Sequence, residues 1–410
     1  MNAPAPTLPA PGVKGWCPGV LRPMRSGDGL LARVRPRGAT LSADALGVLA
    51  GAARELGNGL ADLTSQGNIQ LRGLDEAGAA ALAERLAPLG LLDDDAASEA
   101  RRNIIISPLH GLDPARLFDI APLAAKLAAE LRRAHDLASL PPKFSFLIDD
   151  GGALPLGGVR ADVRFEARRD AQGVRFLVKR SGDSAGAESV GFCAPDALAR
   201  TAVSLARGAI DAVSPASAEP PRHASNGDDC LAEFDCGGTR LLGALAPYGR
   251  LTAAMLDTLA GIARAASHSE IRLTPWRAAL VPFNAPAAAP ALRARLSDAG
   301  FIVARGDRRA RIAACVGAPA CGSATTDVRG DADFFSQALR GGAGVGLHVS
   351  GCAKGCAHSA PAQVTLVGRD GLYDLVRNGN AQSFPAECGL TRETVRARLF
   401  EIFAAEEAGA

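Results

Sequence analysis

No charge of one sign dominates this chain: 45 Lys and Arg face 43 Asp and Glu over 410 residues, leaving +2. Without a strong field there is no argument for nucleic acid or an acidic membrane surface, and any basic site must be local. A membrane span is also lacking, because Gly, Pro or charge breaks each apolar stretch well before ~18 residues. Met1 to Gly12 is rich in Ala and Pro and has neither the basic start nor the apolar core of a signal peptide. A cytoplasmic protein is expected. A dinucleotide fingerprint is missing too, since Gly341-Gly-Ala-Gly-Val-Gly346 lacks the G-x-G-x-x-G spacing and precedes its strand. The composition, 48% hydrophobic and 21% charged, is that of a folded chain, and the length suits two or three domains at ~150 residues each.

The chain is written twice. LARVRPRGATLSADALGVLAGAARELGNGLADLTSQGNIQLRGL near Leu31 parallels LGALAPYGRLTAAMLDTLAGIARAASHSEIRLTPWRAALVP near Leu242. Gly38 matches Gly249 at an offset of 211, and Leu63-Thr64 matches Leu273-Thr274 at 210. Each copy reads strand, Gly turn, helix, loop, strand. Ser42 or Thr252 can cap the helix, and Leu46, Leu49 and Ala53 share a face. Arg101–Ile106 and Arg308–Ala313 open a second matching pair of segments, and Lys143–Gly151 later parallels Gly344–Gly351. The expectation is an α/β (α+β), internally duplicated, pseudo-two-fold fold. Small half-domains at 13–95 and 229–300 alternate with larger α/β lobes at 96–228 and 301–410. The stretch from Ser181 to Asp229 is expected to join the halves through a helix-like middle. A duplicated chain has a natural site where its halves meet.

Nine cysteines in a reducing compartment point to metal or catalysis more than to disulfides. Cys315 and Cys321 have five residues between them, and Cys352 and Cys356 follow with three. Both pairs sit in Gly/Pro turns beside strands expected at Arg311–Ala314 and Val345–Ser350. Turn N–H groups there can face the sulfurs and stabilise their charge. Four thiolates satisfy a tetrahedral zinc or a cubane iron–sulfur cluster, and the five-residue spacing suits the wider cubane better. Cys230 and Cys236 repeat that spacing without a second pair and read as core or edge residues. Cys193 and Cys388 read as buried small hydrophobes. Cys17, in Gly15-Trp16-Cys17-Pro18-Gly19, could line the site.

The quartet Cys315, Cys321, Cys352 and Cys356, with the duplicated layout, resembles the sulfite and nitrite reductase superfamily over nearly the whole chain. Within it the chain is most similar to the precorrin-3B synthases of aerobic cobalamin biosynthesis. Cys17-Pro18-Gly19, Leu140-Pro-Pro-Lys-Phe144, Leu273-Thr-Pro-Trp-Arg277 and Gly351-Cys-Ala-Lys-Gly-Cys-Ala-His358 carry that likeness. The resemblance implies ferredoxin-like half-domains and a 4Fe–4S cluster on the four cysteines. In the reductases the last cysteine, here Cys356, bridges the cluster to sirohaem. Two departures separate this chain from them. Gln66, in Thr64-Ser-Gln-Gly-Asn68, stands where their Thr-x-Arg-Gln loop puts an arginine. Ser145, in Lys143-Phe-Ser145, replaces the second lysine of their Lys-Phe-Lys. Each charge-assisted bond contributes roughly 1.5–3 kcal/mol, so losing two cations favours a neutral co-substrate such as O2 over sulfite or nitrite.

The resemblance further implies that precorrin-3A occupies the cleft and is hydroxylated at a meso carbon, with lactone closure from a ring acetate. One oxygen atom is inserted and the other reduced, so an external NAD(P)H-dependent reductase or a ferredoxin must supply two electrons. A mononuclear non-haem iron is implied for O2 activation, and such iron often takes two His and a carboxylate. His348 and His358, flanking the Cys352 loop, are the candidates, with His110 behind them. Carboxylates of a tetrapyrrole call for arginine forks. Arg33 and Arg35 alternate onto one strand face, and Arg72, Lys143 and Arg277 end equivalent elements. With Gln66 these are the candidate substrate contacts, preferred to Arg132-Arg133 on an exposed helix. A sirohaem-dependent sulfite or nitrite reductase is the alternative.

Overall fold

The computed structural model describes residues 16–182, 186–211, 228–340 and 344–407. The Met1–Gly12 stretch, positions 341–343 of the glycine-rich run and positions 183–185 and 212–227 of the joining segment lie outside these described residues. The first half begins with β1 (Met24–Ser26), β2 (Gly29–Val34), β3 (Thr40–Ser42), α1 (Ala43–Glu55), β4 (Leu60–Leu63), β5 (Ile69–Leu74) and α2 (Glu76–Leu86). It continues through α3 (Ala96–Arg101), β6 (Ile104–Ile106), α4 (Ala121–Arg133), β7 (Phe146–Asp149), β8 (Ala161–Asp170), β9 (Gly173–Gly182), β10 (Glu188–Cys193) and α5 (Leu198–Asp211). The second half opens with β11 (Glu233–Cys236), β12 (Thr239–Leu245), β13 (Arg250–Thr252), α6 (Ala253–Ala265), β14 (Glu270–Leu273), β15 (Ala278–Phe283) and α7 (Ala289–Asp298). It closes with β16 (Ile312–Ala314), α8 (Val328–Ser336), β17 (Leu347–Ser350), β18 (Ala362–Arg369), β19 (Leu372–Gly379), β20 (Glu387–Leu390) and α9 (Arg392–Glu407). The α/β, internally duplicated architecture read from the sequence is the one observed.

Local chemistry explains the two matching helices. Ser42 Oγ accepts the Ala45 N–H at 3.1 Å, and Thr252 Oγ1 accepts that of Met255 at 3.2 Å, so each helix begins on its own cap. Leu46, Leu49 and Ala53 are fully buried at helical spacing. Their sheets, however, are not self-contained. One runs β1-β2-β5-β4-β13 and another β11-β12-β15-β14-β3, so each half lends one short strand to the other. Arg250–Thr252 pair antiparallel with Leu60–Asp62, and Thr40–Ser42 with Glu270–Arg272. α1 and α6 pack together, and one continuous core fills the space between both sheets.

The lobes repeat a second plan. β6, β7 and β8 run parallel before β9 and β10 turn antiparallel, and β16, β17, β18, β19 and β20 do the same. Each lobe has its own apolar core. Three details differ from expectation. The segment after Ser181 is not only a connector, because β10 adds an edge strand there before α5. Cys388 is exposed and Cys193 only half-buried, since both lie on edge strands. The glycine match also shifts. A uniform step of 210 carries Thr40–Ser42 onto Arg250–Thr252, so Gly38 (φ 62°) meets Tyr248 (φ 55°), and Ala39 (φ 54°) meets Gly249 (φ 77°). Two consecutive left-handed residues make this turn, and the glycine takes a different slot in each half.

Candidate functional site

The cysteine loops leave the carboxyl ends of the parallel strands β16 and β17, where open α/β sheets present ligand sites. Cys315 follows β16 directly, and its sulfur accepts the Gly351 N–H at 3.3 Å. Burial pushes the Cys315 thiol up, opposed by the N–H groups of Gly351 and Gly317, while Cys321 and Cys352 lie near enough to act on it. No side chain fits behind this cradle: a Cβ on Gly317 would lie 2.6 Å from the Val328 nitrogen, and one on Gly351 would lie 2.5 Å from Ala324 Cβ. Among the described residues no three His, Cys, Asp or Glu side chains gather around a single ion. A cubane asks less, with one thiolate per iron at wider separation. Cys315, with N–H groups aimed at its sulfur and Cys321 and Cys352 close enough to act on it, suits such a cluster, and Cys356 is exposed on the Cys352 turn.

His348 lies on β17 beneath these loops, completely buried, and neither ring nitrogen has a hydrogen-bond partner among the described residues. Burial and then His358 push it down to about 3, so it is neutral. The His358 ring stands 5.8 Å away at 72°, and burial pushes it down against the opposing Pro361 backbone. No carboxylate joins the pair among the described residues, so the two-His, one-carboxylate set is incomplete. His110 is far more engaged: Nε2 meets the Gly38 carbonyl at 3.2 Å and Nδ1 faces Arg272 at 3.1 Å.

A cleft beside His358 is lined by Ser65, Tyr248, Trp276, Arg277 and Ala357, drawing on both halves. It encloses about 60 Å³, against about 300–1,000 Å³ for a ligand pocket, so it is too small to enclose a whole cofactor-sized ligand. Arg277 is half-buried here, and its charge lowers His358 after burial has done so. Its φ of 61° is left-handed. Trp276 lines the cleft as well, and its indole N–H is buried without a hydrogen-bond partner among the described residues. Trp276 belongs to the Leu273–Arg277 motif, and its match to Gln66 at a step of 210 is the sequence signal that marks it.

The other candidates divide. Arg33, Gln70, Asp62 and Arg250 form one cross-strand row over β2, β5, β4 and β13, on the face opposite the shared core. Arg33 donates to Gln70 Oε1 from Nε at 2.8 Å and from Nη2 at 2.6 Å. Arg35 is buried, bonded to the Pro18 carbonyl at 3.0 Å and paired with Glu99 at 3.4 Å; burial and Arg33 push it down to about 10. Cys17 acts on it as well, which places that cysteine beside Arg35. Arg72 is buried among Asp28, Ser26, Asp62 and the Ala320 carbonyl. Gln66 is half-buried in a turn that the Thr64 hydroxyl organises. Lys143 is exposed ahead of β7 and does not line the cleft.

Comparisons with known proteins agree with this geometry. A family model described as the nitrite/sulfite reductase ferredoxin-like half domain matches residues 22–89 and again 235–299. A precorrin-3B synthase of Sinorhizobium sp. is 33% identical over 402 residues, spanning 91% of this chain and 84% of that protein. A ferredoxin–nitrite reductase of Synechococcus elongatus is 34% identical over 135 residues, 32% of this chain and 26% of that protein. The structure of the Mycobacterium tuberculosis NirA protein superposes with a TM-score of 0.69 at 16% identity, over 90% of this chain and 79% of that one. It shows the shared fold. The match that runs through both half-domains and both lobes decides the family: the chain belongs to the precorrin-3B synthases, within the nitrite and sulfite reductase superfamily.

Proposed function

We propose that this chain is an oxygen-dependent monooxygenase that hydroxylates precorrin-3A at a meso carbon with lactone formation. The observation that carries the reading is Ser145. Where the resemblance places a second cationic lysine, Ser145 is buried, and its N–H and hydroxyl both donate to Asp162 Oδ2, at 2.7 and 3.0 Å. With no cation there and none from Gln66, a small anion lacks its charge partners, and burial raises the Asp162 carboxyl that Ser145 meets; neutral O2 needs no such partner.

Arg277 would anchor an acidic edge of the tetrapyrrole, and Arg33 would meet a second carboxylate on the polar face of the first sheet. Cys315, Cys321, Cys352 and Cys356 would hold a 4Fe–4S cluster, which supplies one-electron relay from an NAD(P)H-dependent reductase or a ferredoxin. His348 and His358 are the proposed protein donors to a mononuclear iron, which supplies O2 activation. With two imidazoles and no carboxylate, the remaining ligands would come from water or substrate. A cytoplasmic location suits this chemistry, and no described helix is long and apolar enough to cross a membrane.

The test is anaerobic purification followed by iron, acid-labile sulfide and absorption measurements, then turnover of precorrin-3A under labelled dioxygen. The expected product carries one label in its new hydroxyl. Stoichiometric sirohaem with sulfite- or nitrite-dependent electron uptake would overturn the proposal in favour of a reductase.

A further inference from the structure

The Cys315–Cys321 loop belongs to the second half, yet the first half holds its backbone. The Ala320 carbonyl, adjoining Cys321, accepts from Ser26 Oγ at 2.6 Å, the Gly27 N–H at 3.0 Å and Arg72 Nη2 at 2.9 Å. A carbonyl oxygen has two lone pairs, so three donors, one of them cationic, fix its direction. Gly27 must lack a side chain, since a Cβ would lie 2.1 Å from the Pro319 carbonyl oxygen.

Arg72 is itself immobilised. Nε and Nη2 fork onto Asp28, both at 2.9 Å, and Nη1 lies 3.4 Å from Asp62. Asp62 also accepts from Arg329 Nη1 at 2.6 Å, at the start of α8, and Arg329 Nη2 reaches the Tyr248 carbonyl at 3.2 Å. Burial alone would raise the Asp62 carboxyl, but Arg329 and Arg72 hold it below the usual range, so it stays charged. The buried series Asp28, Arg72, Asp62, Arg329 thus grips the cysteine loop at Ala320 and again where α8 begins.

The duplication supplies a control. At the step of 210, Arg72 corresponds to Pro282 and Asp62 to Arg272. Arg272 instead donates to the Pro108 and His110 carbonyls, at 3.1 and 2.8 Å, in the lobe that lacks the cysteine quartet. Among the described residues, the Asp28–Arg72–Asp62–Arg329 brace stands opposite the loop that carries Cys315 and Cys321 and has no counterpart at the equivalent positions of the other half.

We infer that Arg72, assisted by Ser26, is a positioning residue that keeps Cys321 in ligating geometry and is not a carboxylate fork for the substrate. This rests on the cluster reading above. The experiment compares full-length wild type, Ser26→Ala and Arg72→Lys, purified anaerobically. Iron and sulfide per chain, bleaching of the cluster absorbance in air, its reduction potential, and tetrapyrrole affinity are measured. Melting of each cluster-free protein is followed as well. Arg72→Lys keeps the charge but loses the fork; it is expected to bleach several-fold faster with a shifted potential and unchanged tetrapyrrole affinity in the cluster-loaded fraction. Ser26→Ala leaves every buried charge paired, so it should bleach faster with unchanged cluster-free melting. Wild-type bleaching in both variants would overturn the inference, as would an intact cluster with lost tetrapyrrole binding in Arg72→Lys. Should Arg72→Lys fail to fold, Ser26→Ala alone decides between these outcomes. Wild-type protein lacking iron and sulfide would overturn the cluster reading and this inference with it, a result distinct from a stable cluster in the variants.

Discussion

Arg277 holds φ 61° in the slot that the other half fills with Gly67 at φ 67°. A left-handed residue of this size costs about 1–3 kcal/mol, which the surroundings must impose. They do so through a reciprocal exchange of small residues. Gly67 sits where a Cβ would meet Ala39, whereas a Cβ on Gly249 would lie 2.5 Å from Arg277 Cδ. Ala39 and Gly249 are equivalent, so the alanine methyl has been given up where the arginine needs the space. Gly249→Ala should therefore weaken tetrapyrrole binding by about tenfold, ~1.4 kcal/mol, with Arg277 untouched, while Ala39→Gly leaves it unchanged; a binding titration checks both. His110 yields a second expectation. Burial, then Arg272, pushes it down from 6.5 to about 4. Below pH 6.5 the unfolded chain takes up a proton that the folded chain refuses until about 4. Its contribution is complete above pH 6.5 and falls through that window by ~1.4 kcal/mol per pH unit. His110→Gln should flatten urea-melt stability against pH by one proton's slope; an unchanged slope would remove His110 as its source.

At the scale of elements, β3 and β13 are the consequential pieces, because each is only three residues long and pairs solely with the opposite half. Neither half-domain can complete its sheet or cover its face alone. Residues 16–95 expressed by themselves should give no cooperative melt, and co-expression with residues 228–303 should restore one; circular dichroism of the two preparations decides it. The repeat itself was legible, since apolar spacing and the Ser42 and Thr252 caps are local signals. The exchange was not, because a strand's partner some 200 residues away leaves no trace in its own pattern. β10 was missed for a related reason: Glu188–Cys193 is an exposed edge with no buried face to impose alternation. The cysteine quartet could be read from spacing. The brace on Ala320 could not, since Arg72 donates there to backbone, which has no sequence signature.

Across the whole molecule the halves have diverged by polarity. The outer face of the first sheet carries Arg33, Gln70, Asp62 and Arg250, whereas its counterpart presents Leu241, Leu245, Ala278 and Leu280 to an apolar cluster with Leu109 and Leu154. One face is suited to acids and the other is sealed. The chain should therefore bind one tetrapyrrole and one cluster, with Cys352→Ser abolishing the cluster; iron analysis and ligand titration giving two equivalents would contradict this. Position along the sequence made the duplication visible, but only register showed which copy of Gln70 and Leu280 faces what. The strand exchange also governs how the chain is born. The edge of Leu60–Leu63 awaits Arg250–Thr252, roughly 190 residues later, about 10–40 s at ribosomal rates of ~5–20 residues per second. Through that interval the nascent first half is a sheet with an open edge, exposed to chaperones and to its neighbours on the same message.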